Sequence, residues 1–241
     1  MMRLVGVGVG PGDPDLVTVK GVRVLQQADL VLLPTMDVGT QGRAERTVRA
    51  HVDHDRLQRL PFALNEREDR ARRESAWDQA GAVAAAAFTD GASCVAFATI
   101  GDPNVYSTFS YLAATVRQLV PDVEVSTVPG ITAMQHLASL AGVALVEGEE
   151  TLTLYPMTAG LAGYREALRQ GDTVVAYKGG RHLPQMVQTL REQGRLEHAV
   201  VGTDLGLPGE LVVPAPDVDT SLPYLSTVLS PPGGRTRGGR L

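Results

Sequence analysis

This chain of 241 residues lacks most of the groups that announce a protein's chemistry. It holds one cysteine, Cys94, which excludes an internal disulfide and a cysteine-based metal site. No apolar run reaches the length of a membrane span, and the first residues read straight into a strand, with no charged region ahead of an apolar leader core. A cytoplasmic protein is therefore expected. Positive charge is not in excess: the formal net charge is −5, which argues against a nucleic-acid binder working through a broad basic face. The local basic groups are Arg67–Arg73, mixed with acids as on a solvated helix, and the tail Arg235–Arg240. A Gly-x-Ser-x-Gly elbow and internal repeats are missing. No metal is expected, because His51 and His54 lie three apart with no third ligand in view.

What the chain does have is apolar content and glycine. Its hydrophobic fraction of 44% suffices for a real core, and its length suits one large α/β domain or two small ones. The most informative stretch is Val5–Thr18. An apolar strand runs into glycines at alternate positions (Gly6, Gly8, Gly10, Gly12), then Asp13-Pro14, then an amphipathic helix. This is the βα opening of an open α/β sheet, whose ligands sit outside the carboxyl ends of the strands. The dinucleotide fingerprint is absent. Its third glycine would be Pro11 counted from Gly6, or Asp13 counted from Gly8, and an acid there repels a pyrophosphate. The loop suits a ligand without phosphate, and Asp13 a cationic or donor-bearing one. A turn serving only tight packing is the alternative.

Strand and helix patterns alternate from there. Helices are expected over Leu16–Gln27, Ala44–His51 and Glu66–Thr89. Strands are expected at Leu30–Leu33, ended by Pro34, at Leu57–Leu60 and at Ala92–Ala98. The last is continuously apolar, as at the centre of a parallel sheet covered on both faces. A second loop, Ile100–Asn104, leads to a helix ending near Leu119; a strand at Glu124–Val128 meets Pro129-Gly130 and a helix over Ile131–Ala141. Beyond that the strands shorten (Thr151–Tyr155, Thr173–Tyr177, Ala199–Gly202, Glu210–Val213), with helices near Leu161–Arg169 and Leu183–Gln193. The fold expected is two α/β domains: residues 1–130 with a mainly parallel sheet, and 131–230 with a smaller mixed sheet. Residues 231–241, rich in Pro, Gly and Arg, read as a disordered and dispensable tail.

Three strand-to-helix loops share one chemistry: Gly10–Pro14, Gly101-Asp102-Pro103 and Pro129–Ala133. Each offers backbone groups at a sheet's carboxyl edge, although any single Gly-Asp-Pro is also an ordinary turn. At this point the chain resembles the tetrapyrrole (corrin and porphyrin) methylase family, over roughly Arg3 to Leu229. The likeness rests on VGVGPGDPDLVTVKG, IGDPNVYSTFSYL, PGITA, VEGEETLTLYP and YKGGRHLP. GDPNVYSTFSYL, EGEETL (Glu147–Leu152) and LPYLSTVL (Leu222–Leu229) are most similar to the subgroup that methylates C-20 of precorrin-2, giving precorrin-3A in cobalamin synthesis.

The resemblance implies S-adenosylmethionine as methyl donor, held in a cleft between the two domains, and a homodimer. It places donor contacts on Pro11, on Ile100, Gly101, Asp102 and Val105, on Thr132 and Ala133, and on Lys178 and Leu205, largely through backbone atoms. Two positions depart from the family pattern. Pro34 stands where relatives acting on uroporphyrinogen carry an aspartate, which counts against that substrate. Lys178 replaces a methionine, so only a backbone contact would survive there. Methyl transfer from a sulfonium needs no protein nucleophile, because the reduced tetrapyrrole is itself an electron-rich carbon nucleophile. Asp13, Tyr106 and Glu149 are candidates to accept or relay the departing proton, and the catalytic assignment stays open among them. Arg43, Lys178 and Arg181 are candidates to meet the substrate's carboxylate arms. Rival readings are a cobalt-factor II C-20 methylase, another acceptor within the same fold, a non-enzymatic ligand carrier, and a nucleotide-dependent oxidoreductase. The loop chemistry yields a first prediction. In calorimetry, S-adenosylhomocysteine binds and NAD(P) does not; tighter binding of NAD(P) overturns it.

Overall fold

The structure is a computed structural model and describes residues 1–36, 39–62 and 70–235. Residues 67–69 of the charged stretch Arg67–Arg73, the start of the helix expected from Glu66, and tail residues 236–241 lie outside the described residues. The chain divides into two compact units, Met1–Thr132 and Ala133–Leu241.

In the first unit five strands form one all-parallel sheet: β1 (Arg3–Gly8), β2 (Leu30–Thr35), β3 (Leu57–Pro61), β4 (Cys94–Thr99) and β5 (Glu124–Val128), in the order β3-β2-β4-β1-β5. Every residue of β4 is buried, as its unbroken apolar run requires of a strand covered on both faces. Alternate residues feed two cores. Leu4, Leu32, Val95 and Phe97 pack with α3 (Arg70–Thr89) and α4 (Phe109–Leu119); Val5, Val7, Val31, Ala96 and Ala98 pack with α1 (Val19–Gln27) and α2 (Arg43–Val48). The alanine-rich stretch of α3 lets it lie close to α4: a Cβ on Gly81 would stand 2.7 Å from Thr115 Cβ. Trp77 stacks on Tyr111 there, with ring centroids 4.2 Å apart.

Two local expectations need correction. Pro34 does not end its strand; β2 continues to Thr35, with Pro34 in register with Leu60. Pairing of β2 with β4 stops at Leu32, so the N–H that proline lacks is not required on that side. The helix expected from Leu16 begins as a 3₁₀ turn, Pro14–Leu16, and α1 starts afresh at Val19, where Thr18 Oγ1 accepts the Gly21 N–H at 3.0 Å.

The second unit holds β6 (Leu152–Pro156), β7 (Thr173–Tyr177), β8 (Val200–Thr203), β9 (Leu211–Pro214) and β10 (Thr227–Ser230), ordered β6-β7-β10-β8-β9, with α5 (Ala133–Ala141), α6 (Leu161–Gln170) and α7 (Leu183–Glu192). The pair β6–β7 is parallel and the remaining pairs are antiparallel, so the sheet is mixed. The sequence reading lacks β10, yet that strand lies at the centre of the sheet. A strand of four residues is too short a run to show a period. The half-buried Arg195 side chain fastens this strand: its guanidinium donates to the carbonyls of Leu168, Gly171 and Asp172 at the end of α6 and of Ser230 at the end of β10.

The tail is anchored further than its composition implies. Arg235 Nε and Nη2 donate to Glu150 Oε1 and Oε2 at 3.0 and 2.6 Å, and Nη1 donates to the Ala144 carbonyl at 2.6 Å. Glu150 Oε2 also accepts the Glu147 N–H at 2.9 Å, so Arg235 cinches the segment ahead of β6. The expected disordered tail is thereby corrected for residues 231–235: a bidentate guanidinium–carboxylate pair supplies the docking that an apolar face would otherwise provide. The Arg235 hydrogen bond holds the Glu150 carboxyl below the ordinary range. A depressed folded-state value contributes stability above the unfolded value of about 4.3 and loses it as the pH falls through the folded one. Deleting residues 231–241 therefore lowers the melting temperature at neutral pH, deleting 236–241 does not, and the gap closes on acidification. Equal melting temperatures at neutral pH overturn this.

Candidate functional site

Strands β1 and β4 are neighbours, and the connections leaving them run in opposite directions across the sheet, which places a crevice at their carboxyl ends. Three loops meet there through their backbones. A Cβ on Gly8 would stand 2.5 Å from the Gly101 carbonyl oxygen and 2.6 Å from the Gly130 nitrogen. A Cβ on Gly130 would stand 2.7 Å from Gly8 Cα and collide with the same Gly101 oxygen. Only glycine permits this approach. Gly101 itself has φ +71°, and its N–H donates to the Gly10 carbonyl at 2.8 Å.

Asp102, nearly buried, braces the crossing. Its Oδ1 accepts the Asn104 N–H at 2.8 Å and its Oδ2 accepts the Gly130 N–H at 3.0 Å. The carboxylate is thus used on the protein itself. Asp13 is engaged likewise: it accepts the Asp15 N–H at 2.9 Å and caps the 3₁₀ turn. Pro11 is buried beside it. The loop is pinned from α2, where Thr47 Oγ1 donates to the Gly12 carbonyl at 2.9 Å and His51 Nε2 lies 3.1 Å from the Pro14 carbonyl. Buried Glu45 holds α2 in turn. Burial pushes its carboxyl up, but hydrogen bonds from Arg59 and Arg49 outweigh this and keep it ionised, with Arg59 Nε at 2.7 Å. Arg43, half-buried, is the first residue of the same helix.

Ile100, Gly101, Asp102 and Val105 are brought together on one turn, with Thr132 nearby: a Cβ on Gly101 would approach Thr132 Cα to 3.9 Å. Next on the chain, Tyr106 has φ +50° and is 43% exposed. It borders a groove of about 540 Å³ with Asn104, Tyr111, Arg117 and Ser126. Burial raises its phenol's pKa, which disfavours the ionised form a base would need. A groove of about 640 Å³, lined by Asp29, Leu30, Val83 and Gly91, opens at the opposite, amino-terminal edge of the sheet and contains none of the expected site residues.

In the second unit Lys178 follows β7 with φ +61°. Gly180, two residues on, has no room for a side chain beneath the Leu222 and Pro223 carbonyls, and its own carbonyl accepts the Leu222 N–H at 3.1 Å. The YKGG and LPYL segments are therefore one packed unit, with Arg181 exposed on it. Leu205 is 5% exposed and follows Asp204, at φ +49°. Ala133 opens α5 and packs against the core cluster that holds Leu205. Glu149 is exposed within the segment that Arg235 cinches. Among the described residues, the non-glycine positions with positive φ are Tyr106, Lys178 and Asp204. Each is, or adjoins, a position expected to touch the donor, and backbone held in such sparsely populated conformations concentrates at ligand sites.

Sequence reasoning missed Thr47, Gly130 as a packing glycine, and, Leu205 apart, the loop 204–210. Thr47 sends no signal, being one threonine on a polar helix. The loop does: Gly206 and Gly209 follow a strand, as in the loops that were recognised.

Residues 3–217 match the family model described as Tetrapyrrole (Corrin/Porphyrin) Methylases. A precorrin-2 C(20)-methyltransferase of Sinorhizobium sp is 35% identical over 95% of this chain and 95% of its own. A cobalt-precorrin-2 C(20)-methyltransferase of Salmonella typhimurium is 29% identical over 94% and 95%. Among solved structures, a uroporphyrin-III C-methyl transferase from Thermus thermophilus, complexed with S-adenyl homocysteine, has a TM-score of 0.64 at 19% identity, over 95% of this chain and 97% of that one. It shares the two-sheet α/β fold.

Because Asp102 satisfies two backbone donors, Asp102→Ala costs about 1–3 kcal/mol of stability, while Asp102→Asn, which keeps one acceptor, costs less. Denaturant melts of the three proteins check this, and an unchanged Asp102→Ala midpoint contradicts it.

Proposed function

The chain belongs to the tetrapyrrole (corrin/porphyrin) methylases, and we propose that it transfers one methyl group from S-adenosylmethionine to C-20 of precorrin-2, giving precorrin-3A in cobalamin synthesis. The observation that carries this reading is the construction of the loops. Their acidic side chains, Asp13 and Asp102, are spent on the protein's own N–H groups, so peptide groups are left as the main recognition surface. Such loops suit a zwitterionic adenosyl ligand without phosphate. Full-length similarity to a relative named for this reaction supports the acceptor.

The donor, when bound, supplies a methyl group on a sulfonium. In the first unit Pro11, Ile100, Gly101, Asp102, Val105 and Thr132 are proposed to hold it; in the second, Ala133, Lys178 and Leu205. Their task is orientation. The S–CH₃ bond breaks as the new C–C bond forms in line, and fixing the reacting atoms in that geometry supplies up to about 7–11 kcal/mol. The glycine crossing provides the rigidity such alignment needs. Excluding water protects an oxidisable acceptor. The methylated carbon afterwards loses its proton, with Asp13, Tyr106 and Glu149 as proposed acceptors or relays. Of these Glu149 is exposed to solvent, whereas Asp13 is already bonded and the Tyr106 phenol is pushed up. Arg43, Lys178 and Arg181 are proposed to meet the acceptor's carboxylate arms. The reading includes a homodimer in the cytoplasm, on the strength of the family resemblance and of the biosynthetic roles of the relatives. Similarity to the cobalt-precorrin-2 enzyme favours, as a second reading, the same carbon on the cobalt-bearing substrate.

Incubation with labelled S-adenosylmethionine and freshly generated precorrin-2, with and without cobalt, followed by NMR of the product, tests both. One label at C-20 is expected, with little transfer to uroporphyrinogen III, and Pro34→Asp does not install that activity because the shape of the acceptor site also selects. Faster methylation of uroporphyrinogen III than of precorrin-2 overturns the assignment.

A further inference from the structure

The loop 204–210 after β8 carries Leu205 and has little structure of its own to fix it. Asp204, Gly206 and Gly209 have φ of +49°, +73° and +97°, and two turn bonds, Leu207 N–H to the Asp204 carbonyl and Glu210 N–H to the Leu207 carbonyl, both 2.9 Å, fold it on itself. Its attachment to the rest of the unit is specific. Glu210 Oε2 lies 2.7 Å from His136 Nε2 on α5 and accepts the Gly206 N–H at 2.6 Å. The His136 side chain is 14% exposed and that of Glu210 30%. Below this bracket Leu205 is wedged: a Cβ on Gly202 would stand 2.8 Å from Leu137 Cδ1 and 2.9 Å from Leu205 Cδ2. Packing thus sets how far the loop can sink, and the carboxylate sets how far it can lift from α5. One oxygen shared by an imidazole N–H and an amide N–H is charge-assisted towards both donors.

We propose that His136 and Glu210 are positioning residues that fix the backbone of Leu205 relative to Ala133, the first residue of α5, and so set the spacing of the two segments of this unit that meet the methyl donor. This rests on the donor site proposed above. Neither side chain touches the donor in this scheme.

The test is calorimetric binding of S-adenosylhomocysteine to the full chain and to His136→Ala, Glu210→Ala, the double variant and Glu210→Gln. Each alanine variant is expected to bind about fivefold more weakly. The double variant should be no weaker than a single one, since both act through one contact, and Glu210→Gln should recover most of the affinity because an oxygen acceptor remains. In turnover, KM for the donor rises while KM for the tetrapyrrole stays. Should the alanine changes prevent folding, His136→Phe keeps the ring and removes its donor, and the same loss is expected. Wild-type affinity in the single variants, or effects that multiply in the double variant, overturns the inference while leaving the donor site standing. Failure of the unaltered chain to bind S-adenosylhomocysteine overturns both.

Discussion

Three peptide planes in van der Waals contact, at Gly8, Gly101 and Gly130, govern the first unit. Their approach is closer than any side chain allows, and it brings the exits of β1, β4 and β5 to one place. Other features of the site read as supports for this crossing. Asp102 spans from the Gly101 turn to the Gly130 nitrogen; α2 clamps the neighbouring loop through Thr47 and His51; Glu45 and its arginines hold α2. A ligand recognised by peptide groups needs those groups immobile, and a stack of backbone on backbone has few degrees of freedom left to lose.

The second unit solves the same problem by different means. There the segments proposed to meet the donor follow β7 and β8, and the residues that turn them, Lys178 and Asp204, adopt left-handed backbone without being glycine. Such conformations cost of order 1–3 kcal/mol each, and the surroundings must enforce them: the fit of Gly180 beneath Leu222 and Pro223 on one side, the His136–Glu210 bracket on the other. Two of the three segments that most resemble the C-20 subgroup, EGEETL and LPYLSTVL, are held by Arg235 and by the Gly180 fit respectively.

Much of the fold was legible because burial writes itself into residue order. The continuous apolar run around Cys94–Thr99 could only be a strand covered on both faces, and Glu124–Val128 and Thr173–Tyr177 were read to the residue. The loops of the first unit were legible through glycine and proline spacing. What escaped depends on contacts between distant parts of the chain. Pro34 looked like a terminator because local sequence does not say that β4 has already stopped pairing there. The tail looked idle because one arginine with a partner 85 positions away leaves no trace in composition. The bracket on Leu205 escaped for the same reason, its carboxylate lying 74 positions from its histidine.

The central place of β10 has a consequence for how the molecule is made. In the first unit β4 joins β2 to β1, β5 then pairs with β1, and the sheet is complete once residue 128 has emerged. In the second, β7 and β8 have no pairing with each other and await a strand that ends at Ser230. Because domains form as units during synthesis at about 5–20 residues per second, the amino-terminal half has several seconds on the ribosome to mature. The carboxyl-terminal sheet must instead wait for its central strand, so synthesis that halts before residues 227–230 have emerged leaves a finished first unit joined to a sheet split down its middle.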